Sequence, residues 1–244
     1  MAIPSAALAY RRSALMTATQ VTTKPPTEEV LRARDDFKDF CVFMGKAPAK
    51  HMLEWHAELC TGEDSECLMG IGGPNTAILA PRGSAKSTVL GLFAAWMIGR
   101  HAAAGKMLRI LYIAYMVDIS RAKSATIKGI LTSNKYREIF PMVRLSKIKR
   151  SDEYWSIDYD FANIDTAGEE AFTIACGGLK GAITSKRSQL VLIDDPIKSA
   201  ASINNPDIRR EMEQTWSNVI APTMFQGARA ICLGTRFHFD DIHK

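Results

Sequence analysis

Within nine positions, Ala80-Pro-Arg-Gly-Ser-Ala-Lys-Ser-Thr88 brings together a glycine, a lysine and three hydroxyl side chains. The stretch lies between an apolar run and a helical pattern. A phosphate-binding loop needs that place, because exposed amides and a helix N-terminus converge there on an anion. Such a loop also presents a lysine to the β- and γ-phosphates and a hydroxyl to Mg²⁺, positions held here by Lys86 and Ser87. Arg82, Gly83, Ser84, Ala85 and Thr88 complete the candidate nucleotide-binding segment. The pattern G-x-x-x-x-G-K-[ST] is broken twice, by Ala80 and Ala85, and Gly83 stands three residues before the lysine. The expectation is that Ala85 keeps a negative φ while Gly83 takes the unusual dihedral. A tight strand-to-helix turn with an exposed Lys-Ser cap would use the same residues.

Leu190-Val-Leu-Ile-Asp-Asp195 is an apolar strand ending in two carboxylates. Asp194 is expected beside Ser87 at the metal, and Asp195 is expected to orient the attacking water as a general-base-like group. An Asp pair opening the Asp195-Pro196 turn is the simpler use of these residues. In combination with the loop, ATP hydrolysis is the expected chemistry. Mg²⁺ suits an oxygen-only ligand set better than a transition metal does. After the last strand comes Cys232-Leu-Gly-Thr-Arg-Phe-His238, where Gly234 and Thr235 could sense the γ-phosphate and relay its loss. Arg144, Lys147, Lys149 and Arg150 read as a DNA-contacting loop, since phosphate contacts need cations without base readout. Lys180, Lys186 and Arg187 precede the Asp-bearing strand. Arg187 is the better candidate for an arginine finger acting in trans, because a guanidinium makes bidentate phosphate contacts. Solvated surface is the default reading for either cluster, and the DNA and nucleotide contacts are the sharper ones.

At these residues the chain resembles the ATPase part of the large subunit of tailed-bacteriophage terminases. Pro81-Arg-Gly-Ser-Ala-Lys-Ser-Thr88 is similar to that family's deviant Walker A loop, which carries an early basic residue. Leu190-Val-Leu-Ile-Asp-Asp-Pro-Ile-Lys198 is similar to its Walker B. Leu233-Gly-Thr-Arg-Phe-His-Phe-Asp-Asp241 resembles its coupling motif, and Tyr136-Arg-Glu-Ile-Phe-Pro141 is also similar. The resemblance spans about residues 36–244. It implies an α/β P-loop NTPase fold of the ASCE type, with one extra strand between the Walker A and Walker B strands. It implies ATP-driven translocation of double-stranded DNA into a procapsid, in the host cytoplasm. The implied partners are a portal, a small terminase subunit and further copies of the chain in a ring. Arg82 would contact the phosphates from within its own subunit. The carboxylate after the Walker B aspartate is commonly glutamate in the family, and Asp195 is one methylene shorter. The family's nuclease domain follows the coupling motif, and nine residues follow Thr235 here, so a motor domain without a DNA-cutting site is expected. Two other readings stay open. One is a helicase-like translocase, and the other a non-hydrolysing DNA-binding or assembly module, motivated by the two alanines.

A chain of 244 residues forms one large domain or two small ones and can bury a core without staples. With 47% hydrophobic and 23% charged residues it is neither disordered throughout, nor collagen-like, nor a coiled coil. A net charge of +5 is compatible with a polyanionic partner without arguing for one. Cys41, Cys60, Cys67, Cys176 and Cys232 are odd in number and scattered, which fits a reducing interior better than a disulfide framework or a zinc site. No apolar run reaches the ~18–20 residues of a membrane span, so no membrane is expected. Residues 1–26 read as a flexible arm: there is no Asp or Glu, and Arg11 and Arg12 follow the apolar stretch, unlike a secretory signal.

The positioning elements follow from periodicity. Thr27 can cap a helix on which Val30, Phe37, Cys41 and Met44 share a face. A second helix covers 50–60, with His56 read as a core or capping group in preference to a ligand. These form a helical segment over 27–74, ending in a loop from 61. From 75 to the end, short apolar runs alternate with helical stretches. The strands are expected at 76–80 (buried), 108–115, 154–160, 171–176, 189–193 and 228–233, and the helices at 86–101, 118–133 and 206–219. That alternation argues for a mostly parallel central sheet flanked by helices.

Overall fold

The computed structural model describes residues 25–60, 73–158, 172–179 and 186–238 of the chain. Thr27 caps α1 (Glu28–Asp35), its Oγ1 accepting the Val30 N–H at 3.3 Å, with Glu28 and Glu29 in the first turn. The apolar face predicted to run to Met44 is broken at Asp36. Its backbone is extended (φ −121°, ψ 128°), and its carboxylate accepts the Asp39 N–H at 2.8 Å to start α2 (Phe37–Phe43). Aspartate competes with helical backbone by local bonding of this kind, and so favours caps over interiors. A 3₁₀ turn (Lys50–Met52) leads into α3 (Leu53–Leu59). His56 is buried against Phe37 at 4.5 Å between ring centroids, and burial lowers its pKa.

The rest alternates: β1 (Thr76–Leu79), α4 (Lys86–Ala103), β2 (Ile110–Ala114), α5 (Val117–Thr132), α6 (Asn134–Ile139), β3 (Leu145–Arg150), β4 (Tyr154–Ile157), β5 (Ile174–Gly178), β6 (Ser188–Asp194), α7 (Ala200–Ile203), α8 (Pro206–Thr215) and β7 (Met224–Gly234). The strands form one sheet in the order β1-β7-β6-β2-β5-β4-β3. The first five are mutually parallel, and β4 and β3 add antiparallel at one end. This is the expected α/β class, and one strand, β7, separates β1 from β6. No helix among the described residues is long and apolar enough to cross a membrane.

Strands covered on both faces read as continuous apolar runs. On one face Tyr112, Leu190, Leu192 and Ile231 pack under α4, whose other side takes Phe37 and Phe40. On the other face Leu111, Ile113, Val191 and Ile193 meet Ile197, Ile203, Met212 and Ile220. The N-terminal helices are fastened by polar bonds as well. Trp96 Nε1 donates to Arg34 O at 3.1 Å, and Arg34 Nη2 donates to Ile139 O at 3.0 Å. Fully buried Arg229 of β7 donates to Glu58 O, Leu59 O, Pro74 O and Thr76 Oγ1 at 2.8–2.9 Å. It thereby satisfies carbonyls that the C-terminus of α3 leaves open and places a cation at the negative end of that helix.

Several expectations are corrected. β1 is not fully buried: it lies at the end of the described sheet, with Ala77 and Leu79 exposed. The cluster at 144–150 is not a loop, for Leu145–Arg150 is an edge strand paired with β4. Leu145 and Ile148 stand three apart among cations, so no period-two pattern marks the strand, and its charges guard an edge. The helix expected over 206–219 is α-helical only to Thr215 and widens into a π turn, Trp216–Ile220. Much of the N-terminal arm, most of the 61–74 loop, the outer ends of the strands expected at 154–160 and 171–176, Lys180 and the 239–241 end of the coupling stretch lie outside the described residues.

Gly99 of α4 lies against Phe140, and an added Cβ would fall 2.3–2.5 Å from three ring carbons. Alanine normally stabilises a helix interior relative to glycine by about 1 kcal/mol. Here overpacking of about 1–3 kcal/mol opposes it. Gly99→Ala is therefore expected to lower the Tm in thermal unfolding followed by circular dichroism, whereas the propensity effect alone would raise it.

Candidate active site

In a parallel sheet the strand ends that carry chemistry lie side by side. Leu79 pairs with Gly234, Leu233 with Asp194, and Ala114 with Asp194, so β1, β7, β6 and β2 end level. The segments leaving those ends enclose an open cleft of about 530 Å³. Its walls are loop residues from Arg82 to Thr88, Asp194, Asp195 and Lys198 after β6, Tyr115 and Lys123 at α5, and Phe237 after β7.

The 80–88 loop departs from its expected backbone. Gly83 does have positive φ (81°), but so does Ala85 (φ 61°, ψ 24°), which stands as the N-cap of α4 without a side-chain cap bond. The position that the usual motif fills with glycine keeps the left-handed conformation even though alanine occupies it. Beyond Ala85, Lys86 is buried, and its Nζ donates to Ala80 O (3.0 Å), Pro81 O (2.9 Å) and Thr235 Oγ1 (3.0 Å). Asp195 Oδ1 lies 3.8 Å from the same ammonium. Ser84 turns its hydroxyl onto Pro81 O at 2.7 Å and is not among the cleft-lining residues.

Ser87 donates to Asp194 Oδ1 at 2.9 Å, and Tyr112 of β2 donates to Asp194 Oδ2 at 3.0 Å. Asp194 is buried, and desolvation raises its pKa against the opposing pull of the Ser87 and Tyr112 bonds and of Lys123. Burial raises the Tyr112 pKa well above its ordinary value, with Asp194 adding to the effect, so the phenol remains a neutral donor. Asp195 also has positive φ (44°), and its N–H donates to Leu233 O at 2.9 Å. That turn carries its carboxylate towards Thr235, at 3.4 Å, and Lys86. Thr235 Oγ1 also lies 3.2 Å from Ala80 O.

Arg82 stands at the cleft mouth, donating to Lys198 O at 2.7 Å with its guanidinium 5.3 Å from the Phe237 ring centre. Arg187 is not brought to this cleft. It precedes β6 at the end opposite Asp194, about 20 Å along the strand at 3.3 Å per residue, with its guanidinium 5.0 Å from the Phe225 ring centre. Within one chain it therefore cannot complete the site. Tyr112, Lys123, Lys198 and Phe237 are cleft or second-layer groups that sequence reasoning missed. Tyr112 is hidden in an apolar strand, and Lys123 on a helix with other cations.

Among the described residues no group of three or more His, Cys, Asp or Glu could hold a metal. The Ser87–Asp194 pair offers two oxygen donors. That suits Mg²⁺, which keeps several waters and takes phosphate oxygens alongside one or two carboxylates.

No protein-family model and no curated protein matches the chain. Among solved structures it is similar to the large-terminase ATPase domain of Thermus phage P74-26. An arginine-to-alanine mutant form of that domain aligns with a TM-score of 0.48 at 15% identity, covering 82% of this chain and 71% of that one. The other form aligns with a TM-score of 0.43 at 17% identity, covering 81% and 68%.

Two outcomes follow from the backbone and the buried charge. An alanine in the left-handed region costs roughly 1–2 kcal/mol, partly offset by the chain entropy that glycine would add. Ala85→Gly is therefore expected to stabilise the protein by about 0.5–1 kcal/mol in denaturant titration. Asp194 has a raised folded-state pKa, so its stability contribution is favourable below the unfolded value and is lost as pH rises through the folded one. Asp194→Asn should thus make the Tm of the nucleotide-free protein fall less steeply than the wild type's as pH rises from the ordinary carboxylate range to neutrality, on top of a pH-independent offset from an amide nitrogen that cannot accept from Ser87 or Tyr112. Identical slopes for the two proteins would contradict it.

Proposed function

We propose that this chain is an ATPase motor domain of the kind found in phage terminase large subunits, hydrolysing ATP to move double-stranded DNA. The observation that carries this reading is the convergence of Lys86, Ser87, Asp194, Asp195 and Thr235 at the level ends of β1, β6 and β7. An accidental Lys-Ser turn would not need a buried carboxylate on the hydroxyl or a second one near the ammonium. The terminase assignment is supported by the sequence motifs around these same residues.

The loop amides and the N-terminus of α4 would hold the phosphates, with Lys86 supplying charge to the β- and γ-positions. All three Lys86 donors now rest on protein acceptors, so phosphate binding must exchange some of them. Ser87 and Asp194 would hold Mg²⁺, which neutralises developing phosphate charge when bound. Asp195, half-exposed and held near Thr235, would align the attacking water and accept its proton. Thr235 touches both Lys86 and Asp195, so a change at either is felt at the end of β7, a direct route from nucleotide state to the sheet. Arg82 would reach the phosphates from the cleft mouth. Arg187 could serve only a neighbouring copy's site, in a ring on the portal where the small subunit also acts. Isolated monomers should then turn over slowly.

Phosphate release should be stimulated by double-stranded DNA in the wild type. Lys86→Ala should lower turnover by about 10²–10³-fold, the scale of losing one electrostatic contact to the transition state. Equal rates for the two proteins would overturn the catalytic assignment.

A further inference from the structure

We infer that Lys123 is a phosphate-binding residue of the cleft, a cation supplied from α5 to the nucleotide held by the 80–88 loop. The inference rests on the nucleotide reading proposed above.

Position is the first support. Lys123 lines the 530 Å³ cleft together with Ser87, Thr88 and Asp194. It also lines an adjoining cavity of about 210 Å³ with Met44, Thr126 and Ile130, and Ser87 and Thr88 are shared by both spaces. Lys123 therefore stands at the junction of the two cavities, on the α5 wall facing the first turn of α4.

Its bonding is the second. The neighbouring cations of α5 are spoken for: Arg121 pairs with Asp118 and Glu153, and Lys128 pairs with Asp152 at 2.7 Å. In the cleft, Arg82 bonds to Lys198 O and Lys86 to three acceptors. Half-buried Lys123 makes no hydrogen bond or ion pair with the described residues. The nearby carboxylate of Asp194 already accepts from Ser87 on one oxygen and from Tyr112 on the other. An ammonium carries three donors, and here they face the open cleft beside Asp194 with no protein acceptor among the described residues within bonding distance. An anion arriving at the N-terminus of α4 would supply what the protein does not.

The test is binding of a non-hydrolysable ATP analogue with Mg²⁺, by titration calorimetry, to the wild type, Lys123→Met, Lys123→Arg and Lys86→Ala. Lys123→Met should weaken binding about 10-fold or more, the scale of a hydrogen bond to a charged group. Its nucleotide-free Tm should fall only slightly, by the lost attraction of Lys123 for Asp194, and Lys123→Arg should recover both that loss and most of the affinity. Wild-type affinity in Lys123→Met overturns the assignment and leaves the nucleotide reading intact. A weakened Lys123→Met with a lowered Tm and no recovery in Lys123→Arg makes the residue structural, and also overturns it. Absence of analogue binding by the wild type sinks the nucleotide reading, and this inference with it.

Discussion

The cleft depends on one constraint: β1 must end level with β6, although the two are not paired with each other. β7, paired with both, sets it. β1 has only four residues and a single parallel partner in the described sheet, running from Thr76 beside Ile231 to Leu79 beside Gly234. The ladder continues one bond further, from Ala80 N to Gly234 O at 3.0 Å, into the loop itself. So short a parallel pair is weak alone. It is reinforced at both ends by a buried cation: Arg229 ties its start to α3, and Lys86 ties its end to Thr235. A shift of β7 by one residue would carry Thr235 away from Asp195 and the loop's Ser87 away from Asp194.

The charges of the site are balanced internally. Asp194 is buried against its own solvation, yet both oxygens receive donors. Lys86 is buried, yet each of its three N–H groups has an acceptor. A buried ion leaves such an arrangement only for better partners, because an unsatisfied charge in low dielectric is far costlier than an exchanged one. The nucleotide-free site is thus stable with its contacts made internally, and any anion must compete with two backbone carbonyls and a threonine hydroxyl. Exchange of partners at Lys86 necessarily changes the surroundings of Thr235.

What the sequence revealed follows the range of the forces involved. Strands sandwiched between layers must be apolar throughout, so β2 and β6 were legible from composition alone, and a carboxylate ending such a strand was conspicuous. β3 was not, because Lys147 and Ile148 belong to an exposed edge, where no apolar periodicity is required. Asp36 breaks a helical face that periodicity alone would run through, since a cap bond outweighs one turn of helix. Tyr112 and Arg229 were invisible for a different reason. Each sits in a run that looks apolar, and its partners lie 82 and more than 150 residues away in sequence. Only the fold brings those acceptors to them.

Strain locates the site without reference to any motif. Among the described residues only two other than glycine have positive φ, Ala85 and Asp195, and both line the cleft. Aspartate tolerates that region through local bonding, whereas alanine has no side chain to bond with. At Asp195 the unfavourable turn directs a carboxylate towards Lys86 and Thr235. At Ala85 it can direct only the backbone that leads into α4. Strained conformations persist where surrounding structure over-determines them, and they cluster where geometry serves function. Two residues strained independently, in segments more than a hundred positions apart, line one space, and it is the space that the motifs around Lys86 and Asp194 mark as the site.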